Sequence, residues 1–190
     1  MKILVARTTF EIETAYEKLS AAKVLGCDTE TSSLSARHGK IFSVQFSDGD
    51  FSVLVPTSEG IALGRLAAIL ENSNITKIFH NAKFDLEFLR ENGYQVSNVF
   101  DTMIAEKILT KGAGQSSSLA ETLYRYFAVD LDKALGAKFN RNWNGVWTQD
   151  LVDYALSDVV HLPRLMQEQI LWLERLGLTD VFNEKMAQLK

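Results

Sequence analysis

The segment VLGCDTETSSL, residues 24–34, places the tightest constraint on how this chain can fold. An apolar run of strand length ends in two carboxylates, Asp28 and Glu30. Side chains alternate along a strand, so residues two apart share a face: Asp28 and Glu30 point one way and Cys27 the other. Carboxylates at the edge of a core are costly without partners, and gathered carboxylates resist ionisation unless cations are present. Two more stretches supply candidates, HNAKFD with Asn81 and Asp85, and DYALSDVVHL with Tyr154 and Asp158. Residues four apart stack on a helix, which pairs Tyr154 with Asp158, and Asn81 with Asp85 if that helix starts early enough. Hard oxygen ligands of this kind suit Mg²⁺ or Mn²⁺. Two such ions about 3.5–4 Å apart form a phosphodiester-cleaving centre.

The remaining pattern describes the frame. Thr8 and Glu11 form a capping box that opens a helix, along which Ile12, Ala15, Tyr16 and Leu19 repeat at helical spacing. Val24–Glu30 reads as a buried strand. Phe42, Val44 and Phe46 alternate with Ser43, Gln45 and Ser47 as a half-buried strand, Asp48-Gly49 turns the chain, and Phe51–Val55 returns. Leu63, Leu66, Ala67 and Leu70 mark an amphipathic helix. Lys77–His80 is a short strand, and residues 84–91 form a helix closed by Asn92-Gly93. Further helices are predicted roughly over 101–110, 118–127 and 148–175. Residues 112–118, GAGQSSS, read as a flexible loop, and 132–145 as a loop near the site. A strand meander followed by strand–helix alternation predicts an α/β domain with a central mixed β-sheet flanked by α-helices.

With 190 residues, 46% of them hydrophobic, 23% charged and only two prolines, the chain reads as one globular domain over 1–190. No apolar run approaches the ~20 residues of a membrane span, and the start turns acidic too soon for a signal peptide. A single cysteine excludes an internal disulfide, fits a reducing compartment and leads us to expect a cytoplasmic protein. A net charge of −4 argues against a broad basic surface for nucleic acid, though not against a local groove. Lys83, Lys133, Lys138 and Arg141 are candidate phosphate contacts, with solvated surface residues as the ordinary alternative.

At these residues the sequence resembles the DEDD 3′–5′ exonucleases, in the tyrosine-containing subgroup that includes ribonuclease D-like enzymes and the proofreading domain of bacterial DNA polymerase I. The first motif matches at Asp28-Thr29-Glu30-Thr31, the second from Asn81 to Asp85 and the third at Tyr154-x-x-x-Asp158. FDTMIAEKIL and SLAETLYRYF also read like the family, and the resemblance runs from about Val24 to Leu165. The histidine subgroup carries its histidine five residues before the last aspartate, where this chain has Asp153. The resemblance implies a ribonuclease H-like fold and hydrolysis from the 3′ end of single-stranded or frayed nucleic acid by two divalent cations, with release of nucleoside 5′-monophosphates. In the family's arrangement Asp28 bridges both metals, Glu30 and Asp158 hold the one carrying the attacking water, Asp85 holds the other, and Glu30 and Tyr154 orient the water.

Thr29, Thr31, Leu34, His80, Asn81 and Lys83 are the accompanying candidate substrate contacts. Leu34 matches the position of an apolar wedge against the terminal base, and otherwise reads as simple packing. His80 either packs under the second motif or approaches substrate. Trp143 and Trp147 could stack on bases, with core packing expected for at least one. Gly112-Ala113-Gly114 lacks the lysine of a phosphate-binding loop. FDTM leans towards DNA proofreading domains, whereas LDKAL followed by a tryptophan leans towards ribonuclease D, so DNA and RNA both stay open. Two rival readings are a non-catalytic nucleic-acid-binding module on the same fold and a phosphohydrolase of small nucleotides. The first would be expected to lack some of the carboxylates, and the second needs a closed base pocket.

Overall fold

One sheet organises the molecule. In a computed structural model that describes residues 2–111, 113–132 and 134–189, the strands are β1 (Lys2–Val5), β2 (Val24–Thr31), β3 (Ile41–Ser47), β4 (Phe51–Val55), β5 (Thr76–Phe79) and β6 (Val99–Asp101). They lie side by side in the order β1-β4-β3-β2-β5-β6. The β2–β3–β4 meander is antiparallel, while β1 joins β4, β5 joins β2 and β6 joins β5 in parallel, so the sheet is mixed as expected. The hairpin at Asp48-Gly49 is held by Asp48 Oδ1, which accepts from the N–H groups of Asp50 and Phe51.

The helices are α1 (Thr9–Leu19), α2 (Leu66–Glu71), α3 (Ala82–Glu91), α4 (Thr102–Leu109), α5 (Leu119–Phe127), α6 (Gln149–Val160), α7 (Leu162–Arg175) and α8 (Thr179–Met186). The capping box of Thr8 and Glu11 is present at the start of α1. Two apolar cores cover the two faces of the sheet. Leu25, Cys27, Val44 and Phe46 pack with residues of α1–α3, whereas Ile78 and Phe100 pack with residues of α4–α8.

Three expectations need correction. The half-buried strand is buried throughout: Ser43, Gln45 and Ser47 are each 0% exposed, because α6 packs over their face of the sheet. Helix 148–175 is two helices, broken at His161. Pro163 stands in the first turn of α7 and has no N–H to donate to the carbonyl four residues back, that of Val159. The helix of the second acidic stretch begins at Ala82, so Asn81 is its N-cap, with φ of 75°, and does not stack on Asp85 within a helix. β1, β6, α8 and a 3₁₀ turn at Ala134–Lys138 were not foreseen, being too short for periodicity to register or lying at the chain's ends. Gly112 and the candidate phosphate contact Lys133 lie outside the described residues. Among the described residues no helix is long and apolar enough to cross a membrane.

Candidate active site

The first and third motifs meet where β2 runs beneath α6. Gly26 makes this possible: a side chain there would collide with the carbonyl of Val159. Gly26, Asp28 and Glu30 share one face of β2, and Asp158 precedes Val159 on α6. One oxygen from each of Asp28, Glu30 and Asp158 therefore lies within 4.8 Å of the others. β2 changes register against β3 between Glu30 and Thr31, an irregularity at the end of the strand that carries the first motif.

Asp85 arrives by another route. β5 pairs with β2 only over Val24–Gly26, and beyond that point the N–H of Thr29 meets a side chain instead of a strand. Asp85 Oδ1 accepts from the Thr29 N–H at 3.0 Å and from the Thr29 hydroxyl at 2.7 Å. The carboxyl is 2% exposed. Burial pushes its pKa up to about 7 and the nearby Asp101 adds to the rise, while the Thr29 hydrogen bonds oppose it.

Asp101 is a residue that the sequence reading passed over. Its Oδ1 caps α4 by accepting from Met103 and Ile104, and its two oxygens also accept from the N–H groups of Asn81 and Ala82. It thereby ties the second motif to β6. The aspartate before a helix, in FDTM, was the available signal. His80 sits alongside, with Nδ1 2.8 Å from Thr102 Oγ1 and Nε2 2.9 Å from the Ser117 carbonyl.

Tyr154 is half-buried on α6. Its pKa is raised, first by burial and then by the charges of Glu30, Asp158 and Asp28, which favours the protonated hydroxyl. The loop over 132–145 does lie at the site: a Cβ on Gly136 would stand 2.5 Å from the Tyr154 hydroxyl. Phe139, from the same loop, packs its ring 6.0 Å from that of Tyr154. Gly136 too escaped the sequence reading, since no local pattern marks a glycine needed for a distant side chain.

The remaining candidates are spread around this centre. Thr29 is buried on Asp85, and the Thr31 hydroxyl donates to the Ser33 carbonyl. Leu34 is 92% exposed, in the loop that leaves β2. Asn81, Lys83, Lys138 and Arg141 are exposed. Trp147 is buried and donates to Ser58 Oγ, the packing role expected of one tryptophan, whereas Trp143 is only half-buried. Cys27 is buried on the opposite face of β2, as alternation required, and its thiol pKa is raised by burial.

The chain is similar to known proteins in both sequence and fold. A family model described as 3′–5′ exonuclease matches residues 4–173. Ribonuclease D of Zymomonas mobilis is 29% identical over 175 residues, 90% of this chain and 44% of that protein. Ribonuclease D of Jannaschia is 31% identical over 144 residues, 75% of this chain and 36% of that protein. The chain thus spans less than half the length of these relatives. Among solved structures, Brucella melitensis NrnC superposes with a TM-score of 0.84 at 28% identity, covering 100% of this chain and 90% of that one. It has also been solved with bound Mg²⁺ and bound to pGG. Escherichia coli RNase D superposes with a TM-score of 0.86 at 22% identity, covering 100% of this chain and 50% of that one, which establishes the shared ribonuclease H-like fold.

Proposed function

Because the chain belongs to the 3′–5′ exonuclease family, we propose that it hydrolyses phosphodiester bonds from the 3′ end of single-stranded or frayed nucleic acid, RNA foremost, releasing nucleoside 5′-monophosphates. The observation that carries this reading is the convergence of Asp28, Glu30 and Asp158 next to the Tyr154 hydroxyl. The choice of RNA follows the ribonuclease D relatives.

The donor set fits two divalent cations, Mg²⁺ or Mn²⁺. It is made of carboxylate oxygens alone, held by a strand and a helix whose spacing is fixed at Gly26. The Mg²⁺-bound form of Brucella NrnC is consistent with this assignment. Such ions supply Lewis acidity and a water of lowered pKa. Asp28, Glu30 and Asp158 would hold them, with Asp85 contributing from the β5 side. Tyr154, which stays protonated, orients the attacking water together with Glu30. The water oxygen bonds to phosphorus as it gives up a proton to solvent, and the bond from phosphorus to the 3′ oxygen of the preceding nucleotide breaks. That oxygen takes a proton from solvent, leaving a strand one unit shorter with a new 3′ hydroxyl. Leu34, exposed in the loop that leaves β2, would pack on an unpaired terminal base.

The carboxylates that a non-catalytic binding module would be expected to have lost are all present. The test is digestion of 5′-labelled ribo- and deoxyribo-oligomers with Mg²⁺ or Mn²⁺, which should give a ladder shortening from the 3′ end. Internal cuts, or digestion from the 5′ end, would defeat the reading.

A further inference from the structure

We propose that the groove along both sides of Trp143 is the track for the single RNA strand upstream of the nucleotide being removed. The proposal rests on the exonuclease reading and extends it to substrates several nucleotides long.

Two cavities share Trp143. One, of about 780 Å³, is lined by His38, Lys40, Arg141 and Trp143, and reaches Ser32, two residues beyond Glu30. The other, of about 580 Å³, continues past Trp143 to Lys138 and the amides of Asn142 and Asn144. Each is of the size that takes a nucleotide-sized ligand. The first cavity begins at Ser32, on the chain that leaves β2 just after Glu30, and its Lys40 is tied to that chain. The Ser32 N–H donates to the Lys40 carbonyl, and the Lys40 N–H donates to Ser32 Oγ.

Trp143 is built as a platform. Its ring meets Phe42 at 4.7 Å, Phe139 at 5.1 Å and Trp147 at 5.0 Å, all edge-on. Three rings thus fix its orientation, yet it remains half-exposed between the cavities. A rigid aromatic face flanked by cations is the arrangement on which successive bases stack while the phosphates are neutralised.

Charge sets the direction. A separate cavity of about 480 Å³, which Tyr154 also lines, is bounded by Asp130, Asp132, Asp150 and Asp153. In a chain of net charge −4, the cations Lys40, Lys138 and Arg141 gather on the Trp143 side. A polyanion leaving the centre is repelled by the aspartate side and drawn along the tryptophan side. The side-chain amides beside Trp143 can donate to and accept from a ribose 2′ hydroxyl, which favours RNA over DNA.

The test uses the Asp28→Asn chain, to prevent cleavage, and calorimetric titration with unlabelled oligoribonucleotides of two, three, four and six units. Affinity should rise about tenfold or more from two to four units, as each added base stacks. Trp143→Ala should flatten this length dependence, and Trp143→Phe should restore much of it. Lys40→Gln with Arg141→Gln, which leaves the ring cluster in place, should shrink the slope of log affinity against log salt by about 0.7 for each phosphate that is no longer neutralised. The matching deoxyribo-oligomers should bind more weakly. Equal affinity for two and six units, or a length dependence untouched by both sets of substitutions, overturns the groove, and equal affinity for DNA overturns its preference for RNA. Wild-type chain that still shortens oligomers from the 3′ end in that case keeps the exonuclease reading intact. Failure to cleave any oligomer sinks the exonuclease reading itself.

Discussion

The carbonyl oxygen of Val159 occupies the space that a side chain on Gly26 would need. Strand and helix backbones touch at this point, and the touch holds Asp158 against Asp28 and Glu30. Pro163 keeps the arrangement open on the helix side, because it cannot donate the hydrogen bond that would have run α6 straight into α7.

Gly26→Ala should therefore damage both the fold and the site. Forcing a methyl group against backbone costs about 1–3 kcal/mol. That corresponds to a fall in Tm of several degrees for a chain of this size. Divalent-cation affinity should fall with it, read by Mn²⁺ titration of the folded fraction. A Gly26→Ala chain with unchanged Tm and unchanged Mn²⁺ binding would contradict the close approach.

Asp28→Ala should leave the fold intact and remove cleavage. The loss should reach roughly 10³-fold, the equivalent of several kcal/mol of transition-state stabilisation. Relief of repulsion among three close carboxylates should raise, or at least not lower, the Tm measured in EDTA. EDTA should stop the wild-type reaction, and Mn²⁺ should restore it.

Tyr154→Phe removes a single hydroxyl and keeps the ring against Phe139. Its rate should fall on the order of 10²-fold, with oligonucleotide affinity and Tm close to wild type. Gly136→Ala should reproduce part of that loss by pushing the hydroxyl aside. Full activity in both variants would return Tyr154 to a packing role.

Asp85 gives the metal-free protein a pH signature. The folded carboxyl holds its proton up to about pH 7, whereas an unfolded aspartate releases it near 4. Between those values the folded state binds the extra proton, so its contribution is full below about pH 4 and is lost as pH rises to about 7. Melting in EDTA across this range should show that decline, and Asp85→Asn should flatten it. Mg²⁺ should offset the decline by giving the ionised carboxylate a partner. A decline that persists unchanged in Asp85→Asn would assign it to another group.

How much of this was legible in the sequence depended on range. Alternation along β2 put Asp28 and Glu30 on one face, helical spacing joined Tyr154 to Asp158, and both pairings are local. The meander, the capping box at Thr8 and the loop over 132–145 were readable for the same reason. What escaped required knowledge of distant partners. The burial of Ser43, Gln45 and Ser47 depends on α6, which lies a hundred positions further along. Gly136 matters only because Tyr154 packs over it, and Asp101 because two N–H groups of another element converge on it. The break at His161 was accessible, since Pro163 removes an N–H from the helical ladder, a local signal that the single helix predicted over 148–175 left out.

The meeting of β2 with α6 also sets when in the life of the molecule the centre comes into being. Asp28 belongs to a hairpin that can form among neighbours, whereas Asp158 lies 130 positions further along and must close a very long loop to reach it, a slow class of contact. A chain still emerging during synthesis, or one whose α6 has come away from the sheet, holds no assembled carboxylate trio. The trio is thus assembled only once the segments from β2 to α6 have folded together, and under the proposed function recovery of cleavage after dilution from denaturant should lag behind recovery of helical signal.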